Sequence, residues 1–124
     1  MVDIQQDIQQ VGQPGWLSVR TDRVDGVLVV TVAGEIDHET GGALKEALDL
    51  PDGAAPRVVI DLGHVTFMDS SGINLLIAVH HTLAEADGWL RLAGAVPSVL
   101  RTIQLVGIDA LIDCYPTLPQ ALGH

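Results

Sequence analysis

Residues 57–81 read RVVIDLGHVTFMDSSGINLLIAVHH. The stretch opens on a continuous aliphatic run, RVVIDL (57–62), as expected for a parallel strand covered on both sides. It closes on an apolar segment with helical periodicity, and an acid, two serines and a glycine stand between the two. A strand that feeds straight into a helix is half of a β-α-β unit. Asp69, Ser70 and Ser71 pose a narrower question. Asp and Ser oxygens accept hydrogen bonds from the free N–H groups of a first helical turn. Capping accounts for one or two of these three side chains and leaves a hydroxyl over.

Working outward, Trp16 to Arg23 predicts a short extended segment. Asp25-Gly26 is a two-residue hairpin signal, and VLVVTVAGEI (27–36) is a second strand, apolar on both faces. Thr40 opens a helix with Leu44, Leu48 and Leu50 as its apolar positions, closed by the turn Pro51-Asp52-Gly53. Downstream, the helix after DSSG runs to about Asp87 and stops at Gly88, and WLRLAG (89–94) forms a strand. Pro97 to Val106 is a helix with proline near its start, ALIDCY (110–115) a short strand, and Thr117 to Leu122 a last helix. The order β-β-α-β-α-β-α-β-α predicts an α/β fold. It has a mostly parallel sheet of about five strands with an N-terminal hairpin, right-handed crossovers, and about four helices packed against it. Residues 1–15, Gln-rich and ending in Gln13-Pro14-Gly15, read as a flexible lead-in to one domain over residues 16–124.

Composition narrows the function. Hydrophobic residues make up 48% and aromatics only 3%, so the core is filled by Val, Leu, Ile and Ala rather than by rings. Six basic against sixteen acidic residues give a formal net charge of -10. That balance removes the counterion-release term behind nucleic-acid affinity and disfavours anionic membranes. It suits a basic protein partner, and solubility alone would also account for it. Cys114 is the single cysteine, which excludes an intramolecular disulfide or a Cys-based metal cluster. The start, MVDIQQDIQQVGQPG, carries acids where a signal peptide needs basic residues, and no segment approaches the roughly 18 apolar residues of a membrane span. A cytoplasmic protein is expected.

At about 100° per residue, Ser71, Asn74, Ala78, His81 and Glu85 share the polar stripe of the helix after Asp69. Ile73, Leu76, Ile77, Leu83 and Ala84 lie opposite, with Ser70 on the margin. Ser71 therefore heads the solvent-facing row, Ser70 is the better cap, and Leu75 adds an apolar contact beside Ser71. A helix N-terminus carries about half a positive charge, so an anion there is favoured by roughly 0.3 to 1 kcal/mol. A phosphate on Ser71 is tolerated by the helix, yet it adds about -1.5 to -2 charges close to Asp69. A partner covering that spot would have to desolvate an unpaired charge.

Two segments, GEIDHETGGALKEAL (34–48) and VVIDLGHVTFMDSSGINLLI (58–77), resemble the STAS domain, specifically the single-domain anti-sigma factor antagonists. The resemblance runs from about Leu17 to the C-terminus. It implies that Ser71, the second serine of the motif, is the phosphoacceptor of a cognate anti-sigma factor, a serine kinase with its own ATP site. It also implicates Asp69 and Asp37 in partner contact. Together with the stripe, the candidate docking set is Asp37, Asp69, Ser70, Gly72, Asn74, Leu75 and Ala78. By this resemblance the unphosphorylated protein captures the anti-sigma factor and frees a sigma factor for transcription, and a separate serine phosphatase resets it. No cofactor, metal or direct nucleic-acid contact is implied.

Other readings are open. A serine hydrolase would use Ser70 or Ser71 with His38, His64, His80 or His81 as base, but the nucleophile-elbow pattern Gly-x-Ser-x-Gly is absent. His80-His81 as metal ligands would point about 100° apart, and His80 reads as a satisfied core histidine. No Walker sequence provides an ATP site. A phosphoaspartate receiver with Asp61 as acceptor would need a late-strand lysine, and the only lysine, Lys45, falls in the first helix. A STAS-like adaptor that binds a protein or ligand constitutively, with DSSG serving only as a cap, fits the same sequence.

Overall fold

The structure, a computed structural model, describes residues 17–38, 40–48 and 55–123. The lead-in over residues 1–15, together with Trp16, Leu50 and the Pro51-Asp52-Gly53 turn, lies outside the described residues. Strands β1 (Leu17–Val24) and β2 (Val27–Ile36) form an antiparallel hairpin with Val24 opposite Val27. Its turn holds Asp25 at φ 52° and Gly26 at φ 80°. Two successive left-handed residues define a type I′ turn, whose twist matches that of the flanking strands.

The chain continues through α1 (Gly41–Ala47), β3 (Arg57–Met68), α2 (Ser70–Glu85), β4 (Trp89–Ala93) and α3 (Pro97–Leu105). A 3-10 turn (Ile108–Ala110), β5 (Asp113–Tyr115) and α4 (Leu118–Ala121) complete it. The five strands lie in chain order, and every pair after the hairpin is parallel. Successive right-handed steps in one direction place their crossover helices on one face. The main core has that composition: Val30, Val58, Ile60 and Leu92 of the sheet pack with Leu44 of α1, Leu76 of α2 and Ile103 of α3. Alternate residues, Val27, Val59 and Ala93, face the other way and are covered by Ala121 of α4. Arg91 holds α4 there, its guanidinium 3.9 Å from the Trp89 ring centroid and its Nη1 donating to the Ala121 carbonyl at 2.8 Å.

Two local expectations are corrected. The first half of ALIDCY is not strand: Ile108 and Ile112 are both buried, and Ile112 N donates to Ile108 O at 2.8 Å. The apolar period there is four, so the chain coils once after the left-handed Gly107 (φ 82°) before β5 begins. Helix α2 stops short of Gly88 as expected, but the glycine does not supply the left-handed residue that ends it. Asp87 does, at φ 64°, while Gly88 N donates to Leu83 O at 2.7 Å. Gly88 is a glycine because the Pro56 carbonyl fills the space a Cβ would need.

Candidate functional site

The site forms where β2 and β3 end. Ile36 and Met68 are register partners, and Asp69 N donates to Ile36 O at 3.1 Å. Asp37 and Asp69 therefore leave neighbouring strands side by side, with backbones about 5 Å apart. Each acid closes its own corner. The Asp37 carboxylate accepts from Thr40 N at 2.9 Å, while Asp37 N donates to Thr40 Oγ1 at 2.9 Å. Thr40 Oγ1 in turn lies 2.6 Å from the Glu35 carbonyl and 3.0 Å from Asp37 Oδ1. Thr40 is the only buried polar side chain among the described residues, and this reciprocal bonding satisfies it.

At the second corner Asp69 is the helix cap, its Oδ1 accepting from Ser71 N at 2.8 Å and Gly72 N at 3.3 Å. The expectation that Ser70 caps α2 is thus corrected: Ser70 is the first helical residue and is exposed. Ser71 is half-buried rather than the more exposed of the two. A helical wheel registers only the contact between α2 and the sheet, whereas Leu75, beside the stripe, also meets α1. Leu75 is half-buried against the main core, and its Cδ2 lies 3.9 Å from where a Gly41 Cβ would stand. Among the described residues neither serine hydroxyl takes part in a hydrogen bond.

Of the remaining docking candidates, Asn74 and Ala78 are exposed as the stripe requires. Gly72 is buried and presents no surface: a Cβ there would stand 2.5 Å from Met68 Cγ and 2.8 Å from Ile36 Cγ2. It is the point at which the helix start approaches the sheet. Ala84, placed on the buried side by the wheel, is exposed, and Ile77 is half-buried. Leu75 and Ala78 also line a groove of about 350 Å³ between α1 and α2, shared with Lys45, Leu48, Val79 and Leu83.

Two residues of this neighbourhood escape a reading of the sequence. Thr40 was visible only as a helix opener, although the spacing Asp-x-x-Thr is that of a reciprocal capping pair. Phe67, two residues before Asp69, is 48% exposed. No periodicity in the sequence signals it, because its orientation follows from a register shift between β2 and β3.

Among the described residues no hydrogen bond joins a histidine to Ser70 or Ser71. His80 is half-buried, its ring centroid 5.6 Å from that of His81. Its Nδ1 is cut off from solvent without a hydrogen-bond partner, so it is not the satisfied core histidine expected. Among the described residues no group of three or more His, Cys, Asp or Glu side chains is placed to hold a metal ion. Cys114 lies at the far side, near Asp109 and Asp113. Burial pushes its thiol above the ordinary value of 9.0, and the two carboxylates push it further in the same direction.

A mixed five-stranded sheet with an Asp-Ser-Ser-Gly corner at the end of its central strand is the architecture of a STAS domain. The family model described as STAS domain matches residues 18–121, and the chain belongs to this family. It is 33% identical over 111 residues to the anti-sigma-F factor antagonist RsfB of Mycobacterium tuberculosis, covering 88% of this chain and 89% of that one. It is 32% identical over 96 residues to an anti-sigma-B factor antagonist of Listeria monocytogenes, covering 75% and 79% of the two. The crystal structure of an anti-sigma factor antagonist from Mycobacterium paratuberculosis superimposes with a TM-score of 0.81 at 35% identity, covering 91% of this chain and 97% of that one.

Proposed function

We propose that this chain is an anti-sigma factor antagonist controlled at Ser71. Unphosphorylated, it binds an anti-sigma factor that is a serine kinase with its own ATP site, and so releases a sigma factor. Phosphorylation of Ser71 by that kinase ends the complex, and a serine phosphatase restores it. The relatives named as antagonists of anti-sigma factors support the partner class. The observation that carries the switch is the division of roles at the α2 corner. Asp69 performs the capping, so the Ser71 hydroxyl is left without a structural bond at a surface flanked by two acids.

The docking face comprises Asp37, Asp69, Ser70, Ser71, Asn74, Leu75 and Ala78. A phosphate on Ser71 sits at a helix start that tolerates an anion, so the scaffold survives. A partner pressed over it must bury charge beyond what its basic groups already pair with Asp37 and Asp69, and a buried charge left unpaired costs about 3 to 5 kcal/mol, or roughly 100- to 5000-fold in affinity. The acids of the face and the net charge of -10 favour a basic surface on the partner. The protein acts by binding rather than catalysis, in the cytoplasm. Among the described residues no helix is long and apolar enough to cross a membrane.

Incubation with the purified kinase and ATP is expected to add one phosphoryl group, found on Ser71 by mass spectrometry and absent from Ser71→Ala. Ser71→Glu is expected to keep the thermal transition and lose the partner. Modification at another residue contradicts the assignment. Binding that persists undiminished in Ser71→Glu identifies a constitutive adaptor instead.

A further inference from the structure

The core-facing residues of β3 are Val58, Ile60, Leu62, Val65 and Met68. Their spacing is two, two, three and three, whereas a regular strand returns to the same face every second residue. The two longer steps coincide with register shifts against β2, between Thr31 and Ala33 and between Gly34 and Glu35. In a regular strand Phe67, two residues after Val65, would face the core. The second shift turns it out instead, leaving the chain's one phenylalanine 48% exposed beside the Asp69 corner. Bulges next to functional sites characteristically re-aim a side chain in this way.

Reach and charge say what the ring meets. Four residues of chain keep the Cα atoms of Phe67 and Ser71 within about 14 Å. A protein interface of ordinary size covers about 800 Å² per side, a disc of roughly 16 Å radius. The strand end that carries Phe67 therefore lies within the radius of a partner centred on Ser71, and the residue's cross-strand neighbour is Glu35. We propose that Phe67 is the aromatic anchor of this docking face, seated in an apolar socket of the anti-sigma factor that is rimmed by Arg or Lys. The inference rests on the function proposed above.

The experiment titrates the purified cognate anti-sigma factor against the full chain and its Phe67→Ala, Phe67→Leu, Ser71→Glu and Leu105→Ala variants, with the unfolding temperature of each recorded. Phe67→Ala is expected to weaken binding at least 30-fold, mainly through faster dissociation, as for a central interface anchor. Its unfolding temperature should stay at the wild-type value. Leu105, 79% exposed on α3, is the control and should change nothing. If Phe67→Ala binds within about threefold of wild type while Ser71→Glu does not bind, the anchor is refuted and the Ser71 switch stands. If the wild-type chain does not bind the anti-sigma factor, both fall together. Should Phe67→Ala lower stability, Phe67→Leu decides, because it keeps apolar bulk without the ring: wild-type affinity in that variant refutes the anchor.

Discussion

Removing the Asp69 carboxylate separates the two jobs assigned to the α2 corner. In Asp69→Ala, the first turn of a 16-residue helix loses an acceptor that holds Ser71 N at 2.8 Å and Gly72 N at 3.3 Å. One bond is short and one long, so the loss belongs in the middle of the usual range for an N-cap, about 1 to 1.5 kcal/mol. For a domain of this size that corresponds to a fall of about 4 to 6 °C in unfolding temperature. Asp69→Asn keeps an oxygen acceptor and gives up only the attraction between carboxylate and helix dipole, about 0.3 to 1 kcal/mol, so its fall should be smaller. Ser70→Ala, at an exposed position that caps nothing, should stay within about 0.5 kcal/mol of wild type. Thermal unfolding followed by circular dichroism at pH 7 ranks the three. A wild-type transition in Asp69→Ala, or a larger fall in Ser70→Ala, would overturn the assignment of the cap. The Asp69→Asn protein then tests docking with only a small loss of stability. If the negative charge itself meets the partner, its affinity drops although the helix start is intact.

Gly72→Ala should cost about 1 to 3 kcal/mol by overpacking, since the added methyl meets Met68 and Ile36 at 2.5 and 2.8 Å, and chemical denaturation would show it as an earlier midpoint. The raised Cys114 thiol gives stability a direction with pH. The native state holds its proton longer than the unfolded chain, so this contribution is complete below the ordinary value of 9.0 and is lost as pH rises through the higher folded value. Unfolding midpoints measured from pH 8 upward should fall across that window, and Cys114→Ala should flatten the fall.

The order of elements was legible because it depends on local signals. Asp25-Gly26 must take two left-handed residues, and the aliphatic runs of β2 and β3 are too apolar for anything but covered strands. The site was legible as a location, since Asp69, Ser70 and Ser71 stand where a strand meets a helix. Their ranking was not. Which oxygen caps depends on how β3 delivers the chain into α2, and the burial of Leu75 beside Ser71 involves α1, a neighbour about 30 residues earlier in sequence. Phe67 was hidden for a related reason: a bulge is a mismatch between two strands, and no single strand's sequence contains it. The coil at Ile108 to Ile112 was misread because a three-residue strand and one helical turn expose similar short patterns.

Because the helix is anchored by a neighbour's carboxylate, position 71 is chemically unencumbered. A lineage could exchange that residue for alanine, threonine or a permanent acid and retain a folded protein; under the function proposed above, that exchange would convert a reversible switch into one fixed on or fixed off. Regulation and architecture can then drift independently, which is a route by which one scaffold could serve many unrelated signalling circuits.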